Sequence, residues 1–245
     1  SNNEHAIDQD TTKHTTTPTT ISNKQINNIL PPTATPLLYQ TDMRGNTIEK
    51  HNLESFGDTM GKKGINTFRI MLQNVNNLPT SSRVNRSRQV IDCIANQELD
   101  VFLMTEIGLC WAKVSAYDQW NERTIGRLEH QKSVFAYNKN ELGNTKTIQH
   151  GGVGICTADE GVHGVIGTGR DTSGLGRWAW IRLQGKAGRT IRIITAYQPC
   201  GAGGAGTVWE QHQRYFGFKY PTRVINPREQ FLHDLHSEVT IWQAA

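Results

Sequence analysis

Cysteine is scarce in this chain of 245 residues, and Cys93, Cys110, Cys156 and Cys200 stand far apart with no CxxC pair. That spacing argues against a structural zinc site or a disulfide scaffold and leaves buried free thiols as the expectation. No run of roughly 18 apolar residues occurs, which excludes a membrane-spanning helix. The first residues, Ser1 to Asp10, are polar and lack the apolar core of a signal peptide. A soluble, intracellular protein with no membrane partner is expected. Apolar residues are also few, at 36%, against a globular average of about 45 to 50%. That average counts glycine, and the 23 glycines here close most of the gap. A collagenous or wholly disordered chain is therefore excluded, and no internal repeat is visible.

The low average hides two unlike parts. Residues 1 to 60 hold polar stretches such as Thr11 to Thr20 (TTKHTTTPTT), followed by Pro31, Pro32 and Pro36. Such a segment cannot bury enough apolar surface to offset the entropy of ordering it, and it reads as a disordered leader. It carries 4 basic and 7 acidic residues, while the whole chain is +4. The basic character therefore belongs to the remainder, at +7 over residues 61 to 245.

From about residue 66 the pattern becomes regular. TFRIMLQNV, 67 to 75, reads as a strand, 83 to 97 as an amphipathic helix, and LDVFLMT, 99 to 105, as a buried strand. Strand, helix and strand in that order are the signature of an α/β layer with a crossover. Further strands are expected at 133 to 138, 152 to 157, 162 to 167, 178 to 184 and 190 to 198. Two helices follow, near 207 to 217 and from Pro227 to Trp242, the latter with Asn226 as N-cap and Pro227 at its first position.

Two polar groups sit where a buried strand prefers apolar ones: Asn74 at the end of the first strand, and Glu106 directly after VFLMT. A carboxylate there is costly to bury unless a cation or hydrogen-bond donors meet it. One carboxylate with amide oxygens nearby, rather than a Cys/His cluster, is the ligand type of a hard divalent cation such as Mg²⁺. Capping a turn (Asn74) and leaving the sheet for solvent (Glu106) are the plainer alternatives.

The segments FRIMLQNVNNL, RSRQVIDCIANQELDVFLMTEI, GGVGI, GLGRWAWIRL and RIITAYQPC resemble the endonuclease/exonuclease/phosphatase superfamily. The nearest branch is the apurinic-endonuclease-like domain of retrotransposon-type reverse transcriptases. The resemblance spans 66 to 245 and implies an α/β sandwich of the DNase I type, two sheets flanked by helices. It implies Mg²⁺-dependent phosphodiester hydrolysis, with Glu106 as metal ligand, Asn74 organising the metal site and Tyr197, in a YxP-like strand end, near the scissile phosphate. DNA or RNA is the implied partner, with a reverse transcriptase domain in the same parent polypeptide.

The departures are as informative. The family's GDxN-like motif has no counterpart beyond Gly57 and Asp58, which have Met60 in the Asn place, and its Asp-His pair is missing, since His233 precedes Asp234. The expectation is a domain incomplete at its C-terminus, an inactive fragment of a longer reading frame. A non-catalytic nucleic-acid-binding remnant and a phosphatase of the same superfamily remain as alternatives.

Arg170, Arg177, Arg182, Lys186, Arg189 and Arg192 suit an anionic partner. Arg177 and Arg214 are singled out for phosphate contact. Trp178 and Trp180 share a strand face and read as packing between layers. Gly201, Gly203 and Gly206 fit GxGxxG after a strand, but no second strand ending in an acidic residue follows. A dinucleotide fingerprint is thus disfavoured and a flexible loop expected. Gly167 to Asp171 lacks a Walker lysine and reads as a hairpin loop.

Overall fold

The computed structural model describes residues 38–41, 47–50, 61–78, 86–141, 146–201 and 204–244. Within the first 59 residues, Leu38–Thr41 (β1) pairs antiparallel with Thr47–Lys50 (β2), Leu38 opposite Lys50 and Thr41 opposite Thr47. The rest of the expected leader lies outside the described residues.

The second unit, Met60–Ala245, holds the regular pattern. Ile70–Asn74 (β3), Arg86–Asn96 (α1) and Val101–Thr105 (β4) form the expected crossover, and β3 and β4 pair in parallel, Ile70 beside Val101 and Asn74 beside Thr105. The α1 pattern places Val90, Ile91 and Ile94 on one buried face. After a short helix at Trp120–Thr124 (α2), Gln131–Ala136 (β5) and Val153–Ala158 (β6) complete a four-stranded sheet in the order β3-β4-β6-β5. A one-turn helix at Glu160–His163 (α3) leads into Val165–Arg170 (β7), Trp178–Gln184 (β8) and Thr190–Ala196 (β9), an antiparallel three-stranded sheet. Val208–Lys219 (α4) and Pro227–Ala244 (α5) follow.

Period-two alternation sorts the layers. On β4 and β6, Phe102, Met104, Cys156 and Ala158 face α1 with Val90, Ile91 and Ile94. Their neighbours Val101, Leu103, Val153 and Ile155 face the other sheet, against Ala179, Ile181 and Leu183. The outer face of β8 turns Trp178 and Trp180 onto Phe231 and Trp242 of α5, with ring centroids 5.9 and 5.6 Å apart. The result is helix, sheet, sheet, helix: the expected α/β sandwich, with both tryptophans packing between layers. Of the free thiols, Cys110 and Cys156 are buried and Cys93 is half-buried, whereas Cys200 is exposed. Among the described residues no helix is long and apolar enough to cross a membrane.

One expectation changes at 160–171. The strand set at 162–167 begins three residues later, because Asp159 (φ 46°) turns the chain out of β6 into α3. The supposed hairpin loop at Gly167 to Asp171 is mostly strand β7. Gly169 is there for closeness, since a Cβ on it would stand 2.5 Å from the Trp180 ring.

Candidate active site

Parallel pairing of β3 and β4 ends both strands at one rim, and the register puts Asn74 beside Thr105, one residue before Glu106. Beyond the rim the two chains stay bonded: Val75, Asn77 and Leu78 donate their N–H groups to the carbonyls of Thr105 (3.0 Å), Glu106 (2.7 Å) and Ile107 (2.7 Å). Ile107 and Gly108 in turn donate to Gly152 (3.2 Å) and Gly151 (2.8 Å). Glu106 is held at φ 54°, with Asn76 at 43° and Asn77 at 69°. Left-handed backbone costs on the order of 1 kcal/mol or more for a residue such as Glu, and it persists only where the surroundings dictate it. Gly108 is needed at φ 73°, where a Cβ would fall 1.9 Å from Asn77 Oδ1.

The turn aims the half-buried Glu106 carboxylate at Tyr197, the residue after β9. Tyr197 Oη donates to Glu106 Oε1 at 2.7 Å. Burial, then the hydrogen bond to Glu106 and its charge, hold the phenol proton on well above its ordinary pKa. The phenol thus keeps its proton and is the donor in this hydrogen bond. The other carboxylate oxygen, Oε2, has no hydrogen-bond partner among the described residues.

Glu106 and Tyr197 line a cavity of about 360 Å³ together with Asn76, Asn77, His150 and Cys200. The N-terminus of α4 forms another wall. Thr207 caps it, accepting from the Glu210 N–H at 3.4 Å, while Glu210 Oε2 accepts from the Gly206 N–H at 2.5 Å. Gln211 ties this helix to the loop that carries His150: its Nε2 donates to the His150 carbonyl at 3.3 Å and its Oε1 accepts from Asn138 Nδ2 at 3.2 Å.

Glu106 and Tyr197 thus meet across 91 positions of sequence. Asn74 is exposed at the rim and absent from the cavity wall; its Oδ1 accepts from the Asn76 N–H at 2.9 Å, within the turn. Asn76 and Asn77 line the cavity instead, and the repeated asparagines of LQNVNNL were the available signal. His150 gave none beyond preceding a glycine pair. Among the described residues no three His, Cys, Asp or Glu side chains are grouped to hold a metal unaided.

The two arginines part company. Arg177 is not at the surface: its side chain is 1% exposed and that of Asp171 is 0%. Arg177 Nε and Nη2 donate to the two Asp171 oxygens (2.7 and 3.1 Å), and Nη1 donates to Asp234 Oδ2 at 2.9 Å. With its donors committed inside the protein, it cannot reach a phosphate; a sequence shows charge but not depth. Although burial opposes it, Arg177 holds the Asp171 carboxyl below its ordinary pKa, and Arg177 itself is raised by Asp171 and Asp234. Arg192 is also occupied, its guanidinium 4.4 Å from the rings of both Trp180 and Trp242. Arg214 does reach the surface, 49% exposed, paired with Glu141 at 2.6 Å and Glu210 at 3.0 Å.

No protein-family model matches the sequence, and no curated protein matches it. Solved structures similar to the chain include an AP endonuclease from Archaeoglobus fulgidus, at 18% identity and a TM-score of 0.37, over 63% of this chain and 50% of that one. An endonuclease/exonuclease/phosphatase family protein from Leptotrichia buccalis C-1013-b is similar at 13% identity and a TM-score of 0.37, over 65% of each chain. The chain therefore spans half of the first and less than two thirds of the second.

Proposed function

We propose that the Glu106–Tyr197 cavity is the cation- and phosphate-binding part of a phosphodiesterase centre, acting on DNA as the endonuclease of a retroelement polyprotein. The observation that carries this reading is the 2.7 Å contact of Tyr197 Oη with Glu106 Oε1 on a cavity wall, made from strand ends far apart in sequence. Mg²⁺ is commonly held by one or two carboxylates, the rest of its shell coming from water and substrate phosphate. The donors fit that pattern: the carboxylate of Glu106, with Oε2 unengaged, beside the amides of Asn76 and Asn77. Asn74, at the rim, supports the turn that presents them. When bound, the cation polarises the phosphate and stabilises charge on the leaving oxygen. Tyr197 orients the Glu106 carboxylate with its single O–H proton, and would give that proton to a phosphate oxygen only by exchanging this hydrogen bond for one to the substrate.

Among the described residues the cavity wall carries one carboxylate, Glu106, and one imidazole, His150. The Asp and His that the family resemblance calls on to activate water are not on it. Cation binding is therefore the sharper test. Titrating Mg²⁺ by calorimetry is expected to find one site that Glu106→Gln abolishes; unchanged binding in that variant would overturn the reading. In plasmid nicking with Mg²⁺, the chain alone is expected to cleave no faster than Glu106→Ala, whereas Glu106-dependent nicking would mean that these residues suffice for the whole reaction.

A further inference from the structure

A second, larger cavity of about 910 Å³ adjoins the first and shares His150 with it. One wall is a single face of α4: Gln211, Arg214, Tyr215 and Phe218, spaced i, i+3, i+4 and i+7. Lys139, Glu141, Lys146 and Ile148 also line the cavity. Its lining carries three cations, Lys139, Lys146 and Arg214, against one carboxylate, Glu141. Two aromatic rings complete it, and Phe218 is 85% exposed.

An exposed phenylalanine does not stabilise the fold by burial, and here it borders a polar, basic groove. Cations that track a phosphate backbone, interleaved with aromatic faces, are the ingredients of single-strand binding, where each base stacks on a ring. Duplex bases cannot use such rings, because their faces are covered by their neighbours in the stack. The volume exceeds what one small anion fills, and His150 lines both the groove and the Glu106 cavity. Arg214 is already engaged by Glu141 and Glu210, so the exposed Phe218 ring carries more of the reading than Arg214 does.

We propose that this groove takes unpaired nucleotides flanking the scissile phosphate, stacking bases on Phe218 and Tyr215 while Lys139 and Lys146 meet the backbone. The proposal rests on the phosphodiesterase reading of the adjoining cavity and adds to it a preference for single-stranded over duplex DNA beside the cut.

The test is binding, not cleavage. Anisotropy of a labelled oligothymidine and of its blunt duplex with oligoadenylate is measured with the full chain, without metal, over a range of salt. Phe218→Ala, at an exposed position, is expected to weaken single-strand binding about 5-fold or more, with Tyr215→Ala acting in the same direction. Duplex binding should not change in either variant. A Lys139→Ala variant should flatten the salt dependence of log K by roughly one phosphate. The proposal is overturned if oligothymidine does not bind, if duplex binds as well as single strand, or if Phe218→Ala leaves single-strand binding unchanged. Loss of Mg²⁺ binding in Glu106→Gln alongside a neutral Phe218→Ala would overturn the groove and leave the cation site standing. The converse result would uphold the groove and overturn the cation site.

Discussion

Arg177 and Glu106 are both charged, both adjoin a central strand, and both are reached by Tyr197. The Tyr197 N–H donates to the Arg177 carbonyl at 2.8 Å and its phenol donates to Glu106 at 2.7 Å. The protein nevertheless treats the two charges in opposite ways. Arg177 is fully buried and its donors meet Asp171, Ser173 and Asp234. Glu106 is half-buried, sits on left-handed backbone, accepts one side-chain hydrogen bond and faces a cavity. A charge whose partners all belong to the protein is structural. A charge held in place with valence to spare is available for a ligand. The arginine centre ties β8 to α5, while the Glu106 side chain makes its one side-chain hydrogen bond to Tyr197.

The largest way to break this contrast is to remove Arg177. Arg177→Met leaves the Asp171 carboxylate, 0% exposed, without its counter-charge. Breaking one side of a buried pair costs on the order of 3 to 5 kcal/mol. Urea unfolding is expected to show a loss of that size, accompanied by loosening of α5 through Asp234. A change of under about 1 kcal/mol would mean that the pair is not the anchor described.

His212 reads the same centre through pH. Its ring is buried beside Arg177 and Asp171 with Nδ1 unpartnered, and burial, then the Arg177 charge, push its pKa from 6.5 down to about 4. Folded protein thus resists a proton that unfolded protein accepts, so stability is highest above pH 6.5 and falls as pH drops towards 4. The loss is on the order of 3 kcal/mol. The lowered pKa of Asp171 acts in a separate window, below its ordinary 3.8. Thermal melting from pH 7 to 4.5 is expected to show the decline, and His212→Gln to flatten it. An unaltered slope in that variant would assign the acid sensitivity elsewhere.

The same contrast marks what a sequence can reveal. The crossover of β3, α1 and β4 was legible because apolar periodicity switches from alternation to a helical repeat within 40 residues, and β8 was placed to the residue. Asn74 and Glu106 stood out as polar groups at strand ends and Tyr197 through the family resemblance; the fold places Glu106 and Tyr197 in contact and leaves Asn74 at the exposed rim. Depth was not legible: Arg177 and Arg214 look alike in sequence, yet one lies under α5 and the other on α4. Nor was closeness, since Gly169 of β7 signals a turn until the Trp180 ring that fills its space is located. Asn76 and Asn77, hinted at only by the repeated asparagines of LQNVNNL, and His150 join the cavity wall through positive φ angles and the Gln211 tether, which are features of tertiary structure.

The smallest expected effects lie at the rim, and they bear most directly on the comparison. Tyr197→Phe deletes one hydrogen bond to a half-exposed carboxylate and should cost about 1 kcal/mol of stability. Glu106→Gln removes a partly desolvated charge and keeps an oxygen that can still accept from Tyr197 Oη. Its stability should therefore stay within about 0.5 kcal/mol of the parent, in the range of ordinary surface changes. Urea unfolding of both variants and of the double variant gives the coupling between the pair. Because the amide oxygen of Glu106→Gln keeps the bond to Tyr197, a coupling well under about 1 kcal/mol together with an unharmed Glu106→Gln is what a positioned, under-used carboxylate requires. If Glu106→Gln instead costs as much as Arg177→Met, Glu106 is a second structural anchor, and the distinction between the two charges fails.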